Sequence, residues 1–458
     1  MTSTASDLSL LSPRAPGQSS DAGSYLRQAW VHADSRCIKC GFCLPACPTY
    51  RETGLEAASP RGRLDLMYGA AQGVLSMEHI REPLALCLGC LACETACPSG
   101  IRYGDMLEAQ RMDEAVRRSG SVPWLAQFAL NTILLSPQWL KALAWGLYLY
   151  RISGVQSVIR GSGLLRLWPR LAQWEAAAPP LERPLNWRRS SGLLATGMPG
   201  ERGVALVRGC VMDAALGAVH TATARVLNAN AFQVYPARRE TCCGALHLHA
   251  GDLPGARDLA RQNIVAFEAL GSIPLVVNSA GCGAHMKSYG HLLADDPEWK
   301  DRAQRFSHRV KDISEFLAAQ VLRPPTGRVP VRAAYDAPCH LVHAQRVAEA
   351  PLKVLRQVPG LELVPLVEAE MCCGSAGSYS FSQPEMSARL LDRKMGHIAA
   401  TGAQVIATGN PGCLLQLRLG AQRHDLPLRV LHPVELLAMA YEGEPDGEPG
   451  KFPPSKNG

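Results

Sequence analysis

In the second half of the chain, short apolar runs recur and each closes on a cysteine: VALVRGC at 204–210, IPLVVNSAGC at 273–282, VRAAYDAPC at 331–339 and AQVIATGNPGC at 403–413. Their length and Val/Ile content predict buried β-strands. Between them, ARDLARQNIVAFEAL at 256–270 and PEMSARLLDRKMGHIAA at 384–400 place apolar residues at helical spacing. Strands alternating with helices predict parallel sheets with helical crossovers. Ligands gather beyond the carboxyl ends of such strands, which is where Cys210, Cys282, Cys339 and Cys413 fall.

The earlier half has a different pattern. In SPRGRLDLMYGAA at 59–71, Ser59 and Pro60 mark a helix start and apolar residues follow at helical spacing. The span 122–159, with Trp124, Trp139, Trp145 and two tyrosines, reads as buried or interfacial helices. Its least charged part, 119–140, contains Pro123, Gln127, Asn131, Pro137 and Gln138, poor material for a bilayer-spanning helix. The first 23 residues are mostly small and polar and lack an apolar core behind a basic start, which predicts a disordered lead-in and argues against export.

The cysteine-ended runs belong to a repeat. TCCGALH at 241–247 returns as MCCGSAG at 371–377. Cys210 precedes Cys242 by 32 residues and Cys339 precedes Cys372 by 33, while Cys243 precedes Cys282 by 39 and Cys373 precedes Cys413 by 40. RVKDISEFLA at 309–318 aligns with RVLHPVELLA at 429–438 without a gap. The unit C…CCG…C is therefore duplicated. Adjacent cysteines form strained disulfides, so a crosslink serves these pairs poorly. The glycine after each pair permits close backbone approach, and a helix N-terminus that follows favours an anionic group. A bound cluster or redox role for Cys210, Cys242, Cys243 and Cys282, and for Cys339, Cys372, Cys373 and Cys413, is weighed against plain buried cysteines. His247, His249, His285, His340, His343 and His432 lie near in sequence and read as core or supporting histidines.

Eight further cysteines form two runs of one kind, Cys37-x-x-Cys40-x-x-Cys43-x-x-x-Cys47-Pro48 and Cys87-x-x-Cys90-x-x-Cys93-x-x-x-Cys97-Pro98. Three cysteines at every third position wrap three corners of a cubane iron–sulfur cluster, and the fourth reaches the other cluster. Cluster one is expected on Cys37, Cys40, Cys43 and Cys97, and cluster two on Cys87, Cys90, Cys93 and Cys47. Structural zinc, the alternative, favours CxxC pairs parted by a longer loop. Arg51, Arg61 and Arg63 lie close in sequence to these runs, either tuning the clusters or lying on a solvated face.

Composition adds two constraints. Sixteen cysteines in a chain without an export signal argue for metal or redox chemistry over a disulfide framework. The net charge of +7 comes from dispersed Lys and Arg with no basic run or aromatic-spaced RNA motif, which disfavours nucleic acid. Clusters ligated by four thiolates carry about −2 each and would offset much of that excess. The predicted organisation is a disordered segment at 1–23, a two-cluster ferredoxin-type domain at 24–115, a helical connector at 116–200, cysteine-rich repeats at 201–325 and 326–441, and a disordered tail at 442–458.

With both cysteine regions in view, the chain resembles the iron–sulfur subunit of bacterial glycolate oxidase from about Ser24 to Tyr441. RCIKCGFCLPACPTY, CLGCLACETACPSGIRYGDMLE, RGCVMDAALGAVHTATARVLNA, NSAGCGAHMKSYGHLLADDP and CCGSAGSYSFSQPEMSARLLDRKM carry the likeness. The resemblance implies a mixed fold, a small helical bacterial-ferredoxin-type domain with two 4Fe–4S sites, a helical connector and a duplicated α/β cysteine-rich domain. It implies two 4Fe–4S clusters, with room for one or two more in the repeats, and no flavin on this chain. Two flavin-domain subunits would be partners, oxidising glycolate to glyoxylate, with quinone or the membrane as electron sink. The chain would be cytoplasmic, or peripheral on the inner face of the cell membrane.

The repeats also resemble the cysteine-rich domains of heterodisulfide reductase and anaerobic glycerol-3-phosphate dehydrogenase. In heterodisulfide reductase each repeat closes with CxxC, whereas here the second positions are His285 and Gln416. That weighs against a thiol–disulfide catalyst. A scaffold function leaves eight cysteines unexplained, and D-lactate or glycerol 3-phosphate remains an alternative substrate. There is no GxGxxG after a strand and no evident nucleophile triad, so substrate chemistry is expected on partners.

Overall fold

In the computed structural model the described residues are 26–27, 29, 37–118, 132, 135–163, 167–168, 171–172, 175–176, 178, 181 and 192–443. The expected lead-in at 1–23, the tail from 444 onward and the region around Trp124 lie outside them.

The two repeats form two four-stranded parallel sheets. The first has β1 (Gly203–Val207), β2 (Gln233–Pro236), β3 (Leu275–Val277) and β4 (Val310–Asp312) in the order β2-β1-β3-β4. The second has β5 (Arg332–Tyr335), β6 (Glu362–Val364), β7 (Val405–Ala407) and β8 (Arg429–Leu431) in the matching order β6-β5-β7-β8. Registers correspond too: Ala205 pairs with Leu275 as Ala333 pairs with Val405. The duplication read from the cysteine spacing is thus a duplication of topology.

Alternation along β1 distributes its side chains between two cores. Val204 and Leu206 join a core that runs on into the second repeat through Ala333, Ile406 and Leu431. Ala205 and Val207 face the opposite side, against Ala256, Ala260, Ile264 and Phe267 of the helix Leu253–Glu268. Asp252 caps that helix, its side chain accepting from Gly255 N at 2.9 Å, and Pro254 occupies its first turn.

Residues 37–118 form a helical unit around Leu64, Met67, Ile80, Met106 and Leu107. Its central helix, Pro60–Ala71, starts as expected: the Ser59 side chain accepts from Gly62 N at 2.9 Å and Pro60 takes the first position. The unit leans on both repeats. A Cβ on Gly251 would lie 2.4 Å from the carbonyl oxygen of Arg111, so the helix Tyr103–Arg117 approaches the first repeat where only glycine fits.

Of the two alternatives for the connector, buried or interfacial helices, its described helix is not the buried one. In the helix Pro137–Ile152 only Ala144 is buried, and Trp139, Leu143, Trp145, Leu149 and Ile152 are exposed. Those five side chains are not packed into a core of the described residues, while Leu140, Leu147, Tyr148 and Tyr150 are half-buried. Among the described residues no helix is long and apolar enough to cross a membrane.

Candidate metal centres

The two runs at 37–47 and 87–97 fold alike. Lys39 and Gly41 have φ of 55° and 84°, and the equivalent Gly89 and Leu91 have 65° and 61°. Two non-glycine residues are thus held in the left-handed region, which curls each loop so that its first three sulfurs turn inward. The fourth cysteine of each run crosses over. One cavity is lined by Cys87, Cys90 and Cys93 together with Cys47, and the other by Cys37, Cys40 and Cys43 together with Cys97, with Cys93 standing on the wall between them.

Among the three arginines near these runs, the structure distinguishes roles. Arg63 is buried: Nη1 points at Cys47 Sγ at 3.9 Å, Nη2 donates to Thr49 Oγ1 at 3.0 Å and Nε donates to the Pro83 carbonyl at 2.8 Å. A buried guanidinium beside thiols needs an anion, and both the donor set and the charge suit a cluster. Arg61 pairs with Glu56 at 2.8 Å, and Arg51 pairs with Glu368 of the second repeat. Tyr103, not singled out by sequence, places its hydroxyl 3.6 Å from Cys87 Sγ.

In each repeat, three strands deliver four cysteines. Cys210 follows β1, Cys242 and Cys243 follow β2, and Cys282 sits in the first turn of the helix Ala280–Lys287 after β3, its N–H donating to Ser279 Oγ at 3.3 Å. Cys339, Cys372–Cys373 and Cys413 follow β5, β6 and β7 in the same way. Gly244 and Gly374 have φ of 90° and 85°, the left-handed turn that folds each CC pair back over the strand ends. Tyr289 Oη donates to the Cys243 carbonyl at 2.6 Å and Asn263 Nδ2 to the Cys242 carbonyl at 2.9 Å, fixing the first pair.

The sulfurs are close enough to share protons. Cys210 Sγ donates to Cys242 Sγ at 3.6 Å. That bond, with a second from Cys243, brings the Cys242 thiol down to about 3, and a bond from Cys243 lowers Cys282. Giving up those hydrogen bonds, and burial, push Cys210 and Cys243 up. The second repeat alternates likewise: Cys339 and Cys373 are lowered by bonds from Cys372, while Cys372 and Cys413 are raised. Four buried thiolates repel one another, so all can ionise only around a cationic core. The residues present fit an iron–sulfur group in each repeat.

The six histidines divide. His340 Nδ1 lies 3.4 Å from Cys339 Sγ, and its ring meets that of His249 of the first repeat edge to face with centroids 6.3 Å apart. His343 Nδ1 bonds Thr95 Oγ1 at 3.0 Å, beside the second run of residues 37–118. His432 is a helix cap, Nδ1 accepting from Val434 N at 3.2 Å. His247 and His285 are buried in the first repeat. The second repeat also abuts the 87–97 run: Leu88, Cys372, Tyr379, Met386 and Leu390 form one buried cluster, with Cys90 and Cys339 packed against it.

Residues 33–101 match the family model of a 4Fe-4S dicluster domain, residues 204–287 and 333–418 that of a cysteine-rich domain, and residues 121–178 that of the glycolate oxidase iron-sulfur subunit, linker region. A probable glycolate oxidase iron-sulfur subunit of Bacillus subtilis (strain 168) is 37% identical over 88% of this chain and 93% of its own length. The glycolate oxidase iron-sulfur subunit of Escherichia coli (strain K12) is 32% identical over 90% of this chain and 96% of its own length. Lactate utilization protein A of Shouchella clausii (strain KSM-K16) is 32% identical over 51% of this chain and 98% of its own length. A hypothetical protein from Helicobacter pylori shares the fold alone, with a TM-score of 0.52 and 9% identity over 92% of this chain and 76% of that one. With near full-length likeness to two such subunits and a match to their linker, the chain belongs to the glycolate oxidase iron–sulfur subunit family.

Proposed function

We propose that this protein is the electron-transfer subunit of a complex that oxidises glycolate to glyoxylate. One 4Fe–4S cluster is assigned to Cys37, Cys40, Cys43 and Cys97 and a second to Cys47, Cys87, Cys90 and Cys93. Further iron–sulfur centres are assigned to Cys210, Cys242, Cys243 and Cys282, and to Cys339, Cys372, Cys373 and Cys413. The crossing of Cys47 and Cys97 into each other's cavities carries this reading. Such clusters, when bound, take up and release single electrons, which suits them to reoxidise a flavin reduced by hydride transfer. The chain's own residues hold the sulfurs, bury most of them wholly or in part and supply Arg63 as a fixed positive charge. The packing of Cys90 and Cys339 against the buried cluster that contains Cys372 favours a path from residues 37–118 into the second repeat.

Two flavin-domain subunits are the assigned partners, quinone is the sink, and the setting is cytoplasmic or peripheral on the inner face of the cell membrane. The test is iron and acid-labile sulfide analysis of anaerobically purified chain, with stopped-flow measurement on the assembled complex. Replacing Cys242, Cys243, Cys372 or Cys373 by serine should slow dye or quinone reduction while substrate still reduces the flavin at the parental rate. Stoichiometric zinc without sulfide would refute the clusters, and variants that lose a cluster signal yet pass electrons at the parental rate would take the repeats off the path. A lactate-oxidising complex is the second reading, favoured by the likeness to lactate utilization protein A. Rates of flavin reduction by glycolate and D-lactate in the assembled complex separate the two.

A further inference from the structure

The two repeats differ three residues beyond their last cysteine. In the helix Ala280–Lys287, Cys282 is followed by His285, and in the helix Pro411–Arg423, Cys413 is followed by Gln416. Residues three apart on a helix share a face, so each side chain returns toward its own cysteine set. Gln416 is already engaged: its Nε2 donates to Ser387 Oγ at 3.1 Å, and Ser387 in turn donates to the Gly374 carbonyl at 2.9 Å. His285 is not. It is 7% exposed, and its Nε2 has no hydrogen-bond partner. That nitrogen lies over the turn after Cys243, where a Cβ on Gly244 would stand 3.4 Å from it. The ring is held edge-on by Tyr289, with centroids 5.5 Å apart and planes at 87°, and Tyr289 also anchors the Cys243 carbonyl.

A buried imidazole nitrogen without a partner is costly unless something coordinates it. Cysteine and histidine parted by two residues is, besides, a recurrent metal-ligand spacing. We infer that His285 Nε2 is a nitrogen ligand to an iron of the centre in the first repeat, joining Cys210, Cys242, Cys243 and Cys282, and that the second repeat binds its centre through thiolates alone. This rests on the reading of those four cysteines as cluster ligands. It makes the two centres chemically unlike. A neutral imidazole leaves a cluster less negative than a further thiolate would, as in centres where histidine replaces cysteine, and holds its reduction potential higher.

The experiment uses the full chain, purified anaerobically with its clusters and reduced with dithionite. Pulsed electron paramagnetic resonance should detect a directly coupled ¹⁴N that converts to a ¹⁵N signature when the unmodified protein is grown on ¹⁵N-histidine. His285→Gln should abolish that coupling while the iron content per chain stays at the parental level. His285→Cys should keep the cluster, lose the nitrogen and move one midpoint potential downward, because an anionic ligand replaces a neutral one. If labelled histidine leaves the spectrum unchanged while Cys282→Ser removes one cluster's iron, the centre exists without imidazole and the inference is overturned. A histidine coupling that survives His285→Gln and disappears in His247→Gln overturns it as well. If Cys282→Ser leaves iron content untouched, the assignment of the four cysteines itself fails. The isotope measurement needs no substitution, so a variant that misfolds does not blunt the test.

Discussion

The Tyr379 hydroxyl donates to the carbonyl of Leu86 at 2.9 Å, joining residues 293 positions apart and pinning the residue before Cys87 to the second repeat. Tyr379 also belongs to the buried cluster that contains Leu88 and Cys372. One side chain of the second repeat thus positions the entry of the 87–97 cysteine loop and packs against the CC pair of its own repeat.

Tyr379→Phe keeps the packing and removes only the donor. Leaving the Leu86 carbonyl unsatisfied should cost about 1–3 kcal/mol. Anaerobic denaturation should register that loss, and amide exchange should rise across residues 86–93. Unaltered exchange there would show that the docking does not depend on this bond.

The second CC pair has an internal support of a different kind. Lys394 and Asp336 form an ion pair at 2.9 Å with side chains only 1% and 2% exposed. Lys394 also donates to the carbonyls of Glu368 and Ala369 at 2.7 and 3.1 Å, and Asp336 accepts from Thr408 at 3.0 Å. The ends of β5 and β7 and the approach to Cys372 are tied together through this pair. Lys394→Met should destabilise the chain by about 3–5 kcal/mol, because a buried carboxylate loses its counter-charge. Adding Asp336→Leu should restore much of that loss, although the CC loop lacks its donor in both variants. A single variant as stable as the parent would remove the pair from the account of how the loop is held.

Much of this arrangement was legible in the sequence, and the rest failed for identifiable reasons. The strand that ends before each cysteine and the Ser59–Pro60 helix start are local signals, set by periodicity and capping within a few residues. The parallel topology followed from alternating strands and helices. Contacts such as Tyr379 with Leu86, or Arg51 with Glu368, join distant segments and leave no periodic trace. Arg63 differs from Arg61 only by which side of one helix it occupies, so sequence proximity to the cysteines left their roles undivided. The helix Pro137–Ile152 left buried and interfacial readings both open because its apolar residues stand on several faces. That pattern signals burial but does not say in which chain.

Asp312 offers a pH test in a range that clusters survive. It closes β4 and caps the helix Ile313–Ala318, accepting from Ser314 N at 2.8 Å through one oxygen, while the other oxygen has no partner. Burial pushes its carboxyl from the ordinary 3.8 up to about 7. The unfolded chain therefore releases this proton at lower pH than the folded one. Its contribution to stability is complete below 3.8 and is lost as pH rises through about 7. Melting temperature of the cluster-loaded protein should fall between about pH 5.5 and 7 and level off above that, and Asp312→Asn should flatten the fall. An identical slope in both proteins would mean that Asp312 is ionised throughout.

The exposed helix Pro137–Ile152 makes the last prediction. Trp139 is 57% and Ile152 59% exposed, and Leu143, Trp145 and Leu149 leave further apolar surface uncovered. Several exposed large apolar side chains on one helix point to an interaction site, and tryptophan is enriched at such sites. Partner subunits are the assigned occupant because the linker family model matches residues 121–178, placing this helix in a segment characteristic of glycolate oxidase iron–sulfur subunits. Hydrogen exchange of residues 137–152 should slow when the flavin-domain subunits are added to the purified chain and should be unmoved by lipid vesicles alone. Trp139→Glu should weaken assembly while leaving iron content and cluster spectra at parental values, since the side chain is remote in sequence from every cysteine and open to solvent. If vesicles protect the helix and the subunits do not, the patch faces the membrane and the assignment to partners is wrong. If neither protects it and Trp139→Glu assembles normally, the subunits dock elsewhere on the chain.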